Sequence, residues 1–479
     1  MKRVLLALLI MLPTSLFAQD VMEGELWKNH WENDIKPWWV AQSATGMPAG
    51  NFPSARQLTG APVYGEQYIR MLSRQVYTYA MGYQLTGDEQ LLGYAQKGIE
   101  WITTKGRDDS DGFKGYYAIL DGQGNSTGAD KTSQDQAYAV MGYAAMYHIT
   151  GEKRYATPID EMRKFLFDGP FWDSSNNSPY DALTEDLSAP VEFKSKGLDS
   201  VSVLDHLNAY LLLYYNSLAD SQKRNKVFNE ISTLGDLVYQ RFYKEGIFWN
   251  TQINRTDWDG DHVDIGHSMK SYWLLERIGL ALKAQGKDPK QFLAIQEKAL
   301  QMLQASANEY GAYGQRFAGA YNIITDHRAA WWVHCELDQY AALRLKDNAQ
   351  LVTPILQKSG QFWFNFVDTG RTVRGIRDGV KFDGSLWGDE DSWTSKQFSW
   401  KSGYHETERA LWLYLMLNQQ QKKPSTLYYA LTPYQFVKRL LEKTLNPYIF
   451  NGDIVGIEVL DKIKGTARYK IAVTYENIN

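Results

Sequence analysis

The sequence predicts an all-α fold: an (α/α)6 barrel with short hairpins or loops at one mouth and a small C-terminal β extension. Three observations carry this. Apolar residues recur at three- and four-residue spacing through most of residues 65–420. A unit of helix, Thr-Gly stop and second helix recurs: Tyr83-Gln-Leu-Thr-Gly-Asp and Tyr147-His-Ile-Thr-Gly-Glu match in residue type, 64 positions apart. Short Gly/Asp/aromatic stretches such as "DGFKGYYAILDGQGN" and "RFAGAYNIITDH" separate alternate helices. Helical hairpins repeated in this way bury each apolar face against a neighbour and can close into a ring; an open solenoid is the competing architecture.

The elements follow in order. Residues 1–18, within "MKRVLLALLIMLPTSLFAQD", combine two basic residues, an apolar run and Ala18 before Gln19, the layout of a cleavable secretory signal. The run is too short for a membrane span, and no cysteine follows it to take a lipid anchor. "YIRMLSRQVYTYAMGYQLTGDEQLLGYAQKGIEWI" and "SQDQAYAVMGYAAMYHITGEKRYATPIDEMRKFL" are helical hairpins. Further helices are expected at "VLDHLNAYLLLYYNSL", "FNEISTLGDLVYQRFY", "IGHSMKSYWLLERIGLALKAQG", "PKQFLAIQEKALQMLQASAN", "WWVHCELDQYAALRLK", "NAQLVTPILQKSGQFWFNFV" and "YHETERALWLYLMLNQQ". Beyond Pro424 comes a short helix, and then "DIVGIEVLDKIKGTARYKIAVTYENIN" alternates as a β-hairpin. The expected division is a signal peptide at 1–18, a barrel at 19–423 and a helix-plus-hairpin extension at 424–479.

Composition narrows the function classes. A net charge of −4 over 479 residues leaves no nucleic-acid footprint. Nothing after the N-terminus approaches a continuous transmembrane run, so no stable membrane insertion is expected. The single cysteine, Cys335, cannot form an internal disulfide. Export without disulfides fits a periplasmic or secreted protein that relies on a large core. Aromatics make up 14% of residues. They serve helix packing in the core, and in a cleft they can stack on the C–H faces of sugars.

Eight histidines are present. His30, His148, His262 and His327 stand in no constellation and are expected to be structural or exposed. His206 follows Asp205, His334 lies in "WWVHCE", and His267 and His405 each open a helix after a loop. A barrel gathers such loop-to-helix junctions at one mouth. A helix also puts His267 and Lys270 on one face. His267-x-x-Lys270 lacks the two-histidine spacing of a helical zinc site, and a lysine opposes a cation. No phosphate loop, dinucleotide fingerprint or nucleophile-elbow serine occurs.

The order of these segments resembles the N-acylglucosamine 2-epimerase superfamily, which includes cellobiose 2-epimerases and mannose isomerases. The family's D-x-x-x-x-Y-D-Q-A-F-A-L-x-G is similar to "DKTSQDQAYAVMG", its N-x-x-M-H-x-x-E-A-Y to "VSVLDHLNAY", and its Y-G-H-x-x-E-A-x-W-L-L to "DIGHSMKSYWLL". Its W-W-x-H/Q-x-E-A is similar to "WWVHCEL" and its K-x-x-Y-H-x-x-R-A to "KSGYHETERA". The resemblance spans about residues 65–417. It implies an (α/α)6 barrel and a cofactor-independent sugar 2-epimerase or aldose–ketose isomerase. In that chemistry one histidine removes the proton alpha to the carbonyl of an open-chain sugar, giving a cis-enediolate. A second returns a proton to C2, which epimerises, or to C1, which isomerises.

By resemblance the pair is His267 and His405. His206 matches a third histidine linked to ring opening or substrate binding. Arg74 matches an arginine that binds sugar oxygens, Trp331 a stacking wall, and His334 and Glu336 fall in the same substrate-binding set. Lys270 stands where the family carries glutamate. It is expected to point into the cleft beside His267, to push that imidazole toward neutral, and to favour an anionic group such as a uronate. The last motif has one extra residue between His405 and Arg409. The expected partner is a small sugar or oligosaccharide, with no metal, and the oligomeric state is left open. Two other functions compete. One is a glycan-cleaving hydrolase or lyase using carboxylates such as Asp135, Glu336, Asp389, Glu390 or Asp391. The other is a sugar-binding relative that has lost catalysis.

Overall fold

A computed structural model describes residues 20–191, 198–251, 263–317, 324–389 and 391–479. The signal-like segment 1–18, His262 and Glu390 lie outside them.

The helices sort by burial into two sets. Ile69–Thr86, Ser133–Thr150 (with a break at Val140), Val201–Ser217, Ile265–Ala284, the first half of Trp331–Trp363 and Tyr404–Gln420 are buried on nearly every face and form the inner ring. Glu89–Trp101, Lys153–Phe167, Ser221–Phe242, Gln296–Ser306, the second half of Trp331–Trp363 and the N-terminal helices from Gly24 to Val40 keep a solvent face and wrap it. Helix Tyr404–Gln420 packs on Ile69–Thr86, so the last inner helix meets the first and the ring closes. This is the (α/α)6 barrel.

The repeat seen in the sequence has a stereochemical basis. Gly87 and Gly151 end their helices in the left-handed region, at φ 74° and 66°, where a Cβ is unfavourable. Asp88 and Asp220 then cap the following or later outer helices by accepting from Gln90 N–H and Lys223 N–H.

Four inner helices are entered through a very short strand. Gln67–Tyr68 pairs with Ile119–Leu120, Lys131–Thr132 with Ala182–Leu183, Val263–Asp264 with Arg316–Phe317, and Arg328–Ala330 with Gly379–Lys381. These pairings fix the angle at which each inner helix begins.

The C-terminal region differs in detail from the expected helix and hairpin. Strand Ser425–Leu431 pairs antiparallel with Tyr469–Glu476, which also pairs with Asp453–Lys462, giving a three-stranded sheet. Helix Pro433–Leu441 starts with a reciprocal cap between Thr432 and Gln435. Tyr448 and Phe450 are buried, and Phe450 sits edge-on to Trp412 of the last inner helix at 4.8 Å. Among the described residues no helix is long and apolar enough to cross a membrane.

Candidate functional site

The first turns of neighbouring inner helices are linked in sequence around one mouth. Arg70 donates to Asp135 (2.7 Å), Ser133 Oγ to the Ser202 carbonyl (2.8 Å), and Lys270 Nζ lies 3.7 Å from Asp205 Oδ1. The His267 ring packs on Trp332 with centroids 4.8 Å apart, and Trp331 Nε1–H donates to Glu406 Oε2 at 3.0 Å. Arg70 closes the circle, stacking at 3.7 Å on Trp400, just ahead of the His405 helix. Helix N-termini carry partial positive charge. Several of them lie at this mouth.

His267 is the third residue of its helix. Asp264 caps that helix by accepting from Gly266 N–H (3.0 Å) and His267 N–H (3.3 Å), and its second oxygen lies 3.3 Å from His267 Nδ1. A Cβ at Gly266 would overlap the Trp332 ring, so glycine here lets Trp332 lie beside the imidazole. Burial lowers the His267 pKa, but the Asp264 charge and hydrogen bond outweigh it, and the value is raised. The expected push toward neutral by Lys270 is present and is overruled by the nearer aspartate.

His405 has the opposite setting. Its side chain is 9% exposed against 25% for His267, and Nδ1 stands 3.2 Å from Glu336 Oε1. Burial, aided by the Lys270 charge, brings its pKa down to about 3 despite Glu336. Trp332 lies 6.0 Å from the His405 centroid, so one half-buried indole neighbours both imidazoles. In each histidine Nδ1 faces a carboxylate.

Lys270 does not offer its ammonium at the cleft surface. It is 1% exposed, with Nζ 3.4 Å from Glu336 and 3.7 Å from Asp205. Burial favours the neutral amine, but Tyr138, Glu336 and Asp205 together raise its pKa. Glu336 also accepts from Trp273 Nε1–H at 2.9 Å. Burial raises the Glu336 pKa, yet Lys270 and His405 hold it down at about 2. The ammonium is therefore balanced within the protein, and an anionic substrate group finds no free partner in it.

Arg74 is buried with its guanidinium 3.6 Å over the Tyr138 ring and its Nη1 3.4 Å from the Trp400 carbonyl. Tyr138 donates to Asp205 (2.9 Å), and the Tyr404 ring lies 4.2 Å from His405. Trp400 is 46% exposed, with the Arg70 guanidinium stacked on its ring. Trp331 stands edge-on to His405 at 5.9 Å, held between Glu406 and the Lys401 ammonium over its ring.

The remaining expected residues point elsewhere. His206 is wholly buried, with Nε2 3.0 Å from Ser133 Oγ and Nδ1 3.1 Å from the Tyr210 hydroxyl. His334 Nε2 accepts from Tyr313 N–H and its Nδ1–H donates to the Ala330 carbonyl, against Phe362 and Phe366. Burial depresses both to about 3. His30 and His148 are also core residues, bonded to Asp34 and Trp363, and to Gln84 and Ser217, while His327 is exposed. The carboxylates considered for hydrolysis are engaged: Asp135 with Arg70, Asp389 with Arg371, and Asp391 with the Trp393 N–H.

Asp264, Asp205, Tyr138, Trp332 and Trp400 were not expected at the site. Asp264 and Trp332 had local signals, an N-cap position before His267 and the second half of a Trp pair. Among the described residues no group of three or more His, Cys, Asp or Glu is arranged to hold a metal ion.

A family model described as N-acylglucosamine 2-epimerase matches residues 52–369, two thirds of the chain. The chain belongs to this family. It is a carbohydrate epimerase or isomerase by that membership. Solved structures share the fold at low identity. The cellobiose 2-epimerase of Bacillus thermoamylovorans is 17% identical, with a TM-score of 0.69 over 82% of this chain and 98% of its own. That of Spirochaeta thermophila is 18% identical, with a TM-score of 0.71 over 85% and 99%. A D-mannose isomerase is 15% identical, with a TM-score of 0.68 over 83% and 98%. No curated protein sequence matches.

Proposed function

We propose that the protein is an exported sugar 2-epimerase or aldose–ketose isomerase that works through a cis-enediolate, with His405 as base and His267 as acid. The observation that carries the assignment is the opposite electrostatic setting of two imidazoles around one tryptophan. Neutral His405 takes the proton from C2 of the open-chain sugar through Nε2. The C–H electrons form the C1–C2 double bond, and the carbonyl electrons move onto O1. The new imidazolium charge forms 3.2 Å from the Glu336 carboxylate, which stabilises it.

His267, kept protonated by Asp264, returns a proton from Nε2. Delivery to the opposite face of C2 gives the 2-epimer. Delivery to C1, with the O2 proton lost, gives the ketose. Arg74 and the helix N-termini offer positive potential to the enediolate oxygen. Trp332 and Trp400 offer apolar faces to the sugar ring. Because Lys270 is balanced internally, a neutral sugar fits this site better than a uronate.

The test is incubation with glucose, mannose and cellobiose and chromatography of the products. A 2-epimer or ketose of unchanged chain length supports the reading. Shortened chains would replace it with a hydrolase or lyase, and binding without turnover with an inactive relative. Export rests on the 1–18 segment. A mature N-terminus at Gln19, read by sequencing the protein from a periplasmic fraction, is the expected outcome; an intact Met1 refutes it.

A further inference from the structure

The C-terminal extension reaches the proton-transfer site from behind. Loop residue Tyr448 sits at the end of the barrel opposite the mouth, with φ of 64°, a left-handed conformation that is costly for a bulky residue. The strain is held by a dense set of anchors. Asn216 donates to the carbonyls of Tyr448 (2.7 Å) and Phe450 (3.1 Å), Asn446 donates to the Asn216 carbonyl (2.9 Å), and Tyr429 donates to that of Asn446 (2.7 Å). Held this way, the Tyr448 hydroxyl donates to Glu408 Oε1 at 2.5 Å and meets the Tyr77 hydroxyl at 2.8 Å.

Glu408 follows His405 by three positions, so the two share a helix face. It is 1% exposed. The groups that face it are Glu336 from one inner helix, Lys270 from another, Tyr77 from a third, Tyr404 on its own helix, Gln339 beside Glu336, and Tyr448 from the extension. Glu336 in turn touches His405 Nδ1 and the Lys270 ammonium. Tyr77, Tyr448 and Glu408 are therefore linked by hydrogen bonds, and the Glu408 carboxylate acts through its charge on Glu336 and Lys270, which contact each other and, through Glu336, His405.

We propose that the C-terminal extension is a working part of the catalytic domain, in which Tyr448 is a positioning residue that holds the Glu408 carboxylate so that its charge acts on the Lys270–Glu336 pair beside His405. This rests on the two-histidine reading above. Burial and the Glu336 charge raise Glu408 to about 7, and the Tyr448 hydrogen bond opposes that rise. The rate then carries, beside the His267 limb, a titration near neutrality that belongs to Glu408.

The experiment measures kcat, KM and the pH profile for the parent, Tyr448→Phe and Glu408→Gln, with solvent-deuterium uptake at C2 of an accepted sugar as the rate signal. Thermal unfolding is recorded for each protein. The expected result is a kcat lowered about tenfold or more in both variants, the scale of a small misplacement of a reacting group, with KM almost unchanged. The neutral limb of the profile moves to higher pH in Tyr448→Phe and vanishes in Glu408→Gln. Parental kcat and profile in the folded variants, or rate lost only in proportion to folded protein, overturns the proposal. A parent that exchanges no C2 proton instead refutes the functional reading itself.

Discussion

Replacing Lys270 separates a buried structural cation from a substrate contact. Its ammonium lies 3.4 Å from Glu336 and 3.7 Å from Asp205, with 1% of the residue exposed. Removing one partner of a buried pair leaves the other charge without compensation, at a cost of about 3–5 kcal/mol. Lys270→Met should lose stability on that scale. Lys270→Glu, which restores the residue type of the family motif, should lose more, because it adds a third carboxylate beside two others. Urea and thermal unfolding followed by far-UV circular dichroism measure both. The pH dependence adds a second check. Glu336 is held at about 2, below the roughly 4.3 of an unfolded glutamate. The stabilisation it contributes is whole above that unfolded value and fades as pH falls toward 2. The gap between parent and Lys270→Met should therefore narrow over the same acid range. A Lys270→Glu protein as stable as the parent, with a changed preference between neutral and acidic sugars, would refute the placement and restore the substrate-facing lysine.

His405→Asn and His267→Asn should each lower kcat by about 100-fold or more, the usual weight of a general acid or base, in steady-state assays at saturating sugar. Asp264→Asn keeps an N-cap side chain but removes the charge that raises His267. The acid form of His267 is lost as pH rises through its raised pKa, so the alkaline limb of kcat should move to lower pH in this variant; an unmoved limb would show that His267 is not the titrating acid. Arg409 lies between Trp27 and Trp363 and donates twice to Asp338, at 2.8 and 2.6 Å. Asp338→Ala should cost about 3–5 kcal/mol in chemical unfolding. Trp332→Ala should raise KM and lower kcat together in the same assays, since it removes a face shared by both imidazoles.

The helical hairpins were legible because periodicity and Thr-Gly stops are local signals, and Gly87 and Gly151 use them as left-handed caps. Strand Ser425–Leu431 was not, because its partner lies at Tyr469–Glu476 and only the tertiary pairing makes it a strand. At the site, His206 illustrates a one-residue register. When Asn208-Ala209-Tyr210 is aligned with the E-A-Y of the family motif, the histidine position falls on Asp205. Asp205 faces Lys270 and Tyr138, whereas His206 turns into the core, followed by a π-helical turn at Leu207–Leu211. Lys270 misleads for a related reason. Read without a gap, the third residue after His405 is Glu408 where the motif has arginine, while the third after His267 is Lys270 where it has glutamate. The two charges have changed places on helices whose proximity no local reading supplies. The direction of the His267 shift depends on Asp264 being 3.3 Å away, a distance that the cap position suggests but does not fix.

The proposed chemistry is proton transfer at C2 of an intact sugar, shared between His405 and His267. It is tested most directly by following the C2 proton signal of mannose or cellobiose by NMR in D2O with the parent protein and with His405→Asn. The parent is expected to replace the C2 proton with deuterium as the 2-epimer or ketose appears, with chain length unchanged, and His405→Asn to abolish the exchange while remaining folded. Product formed with the C2 proton retained, or undiminished exchange in His405→Asn, would contradict it.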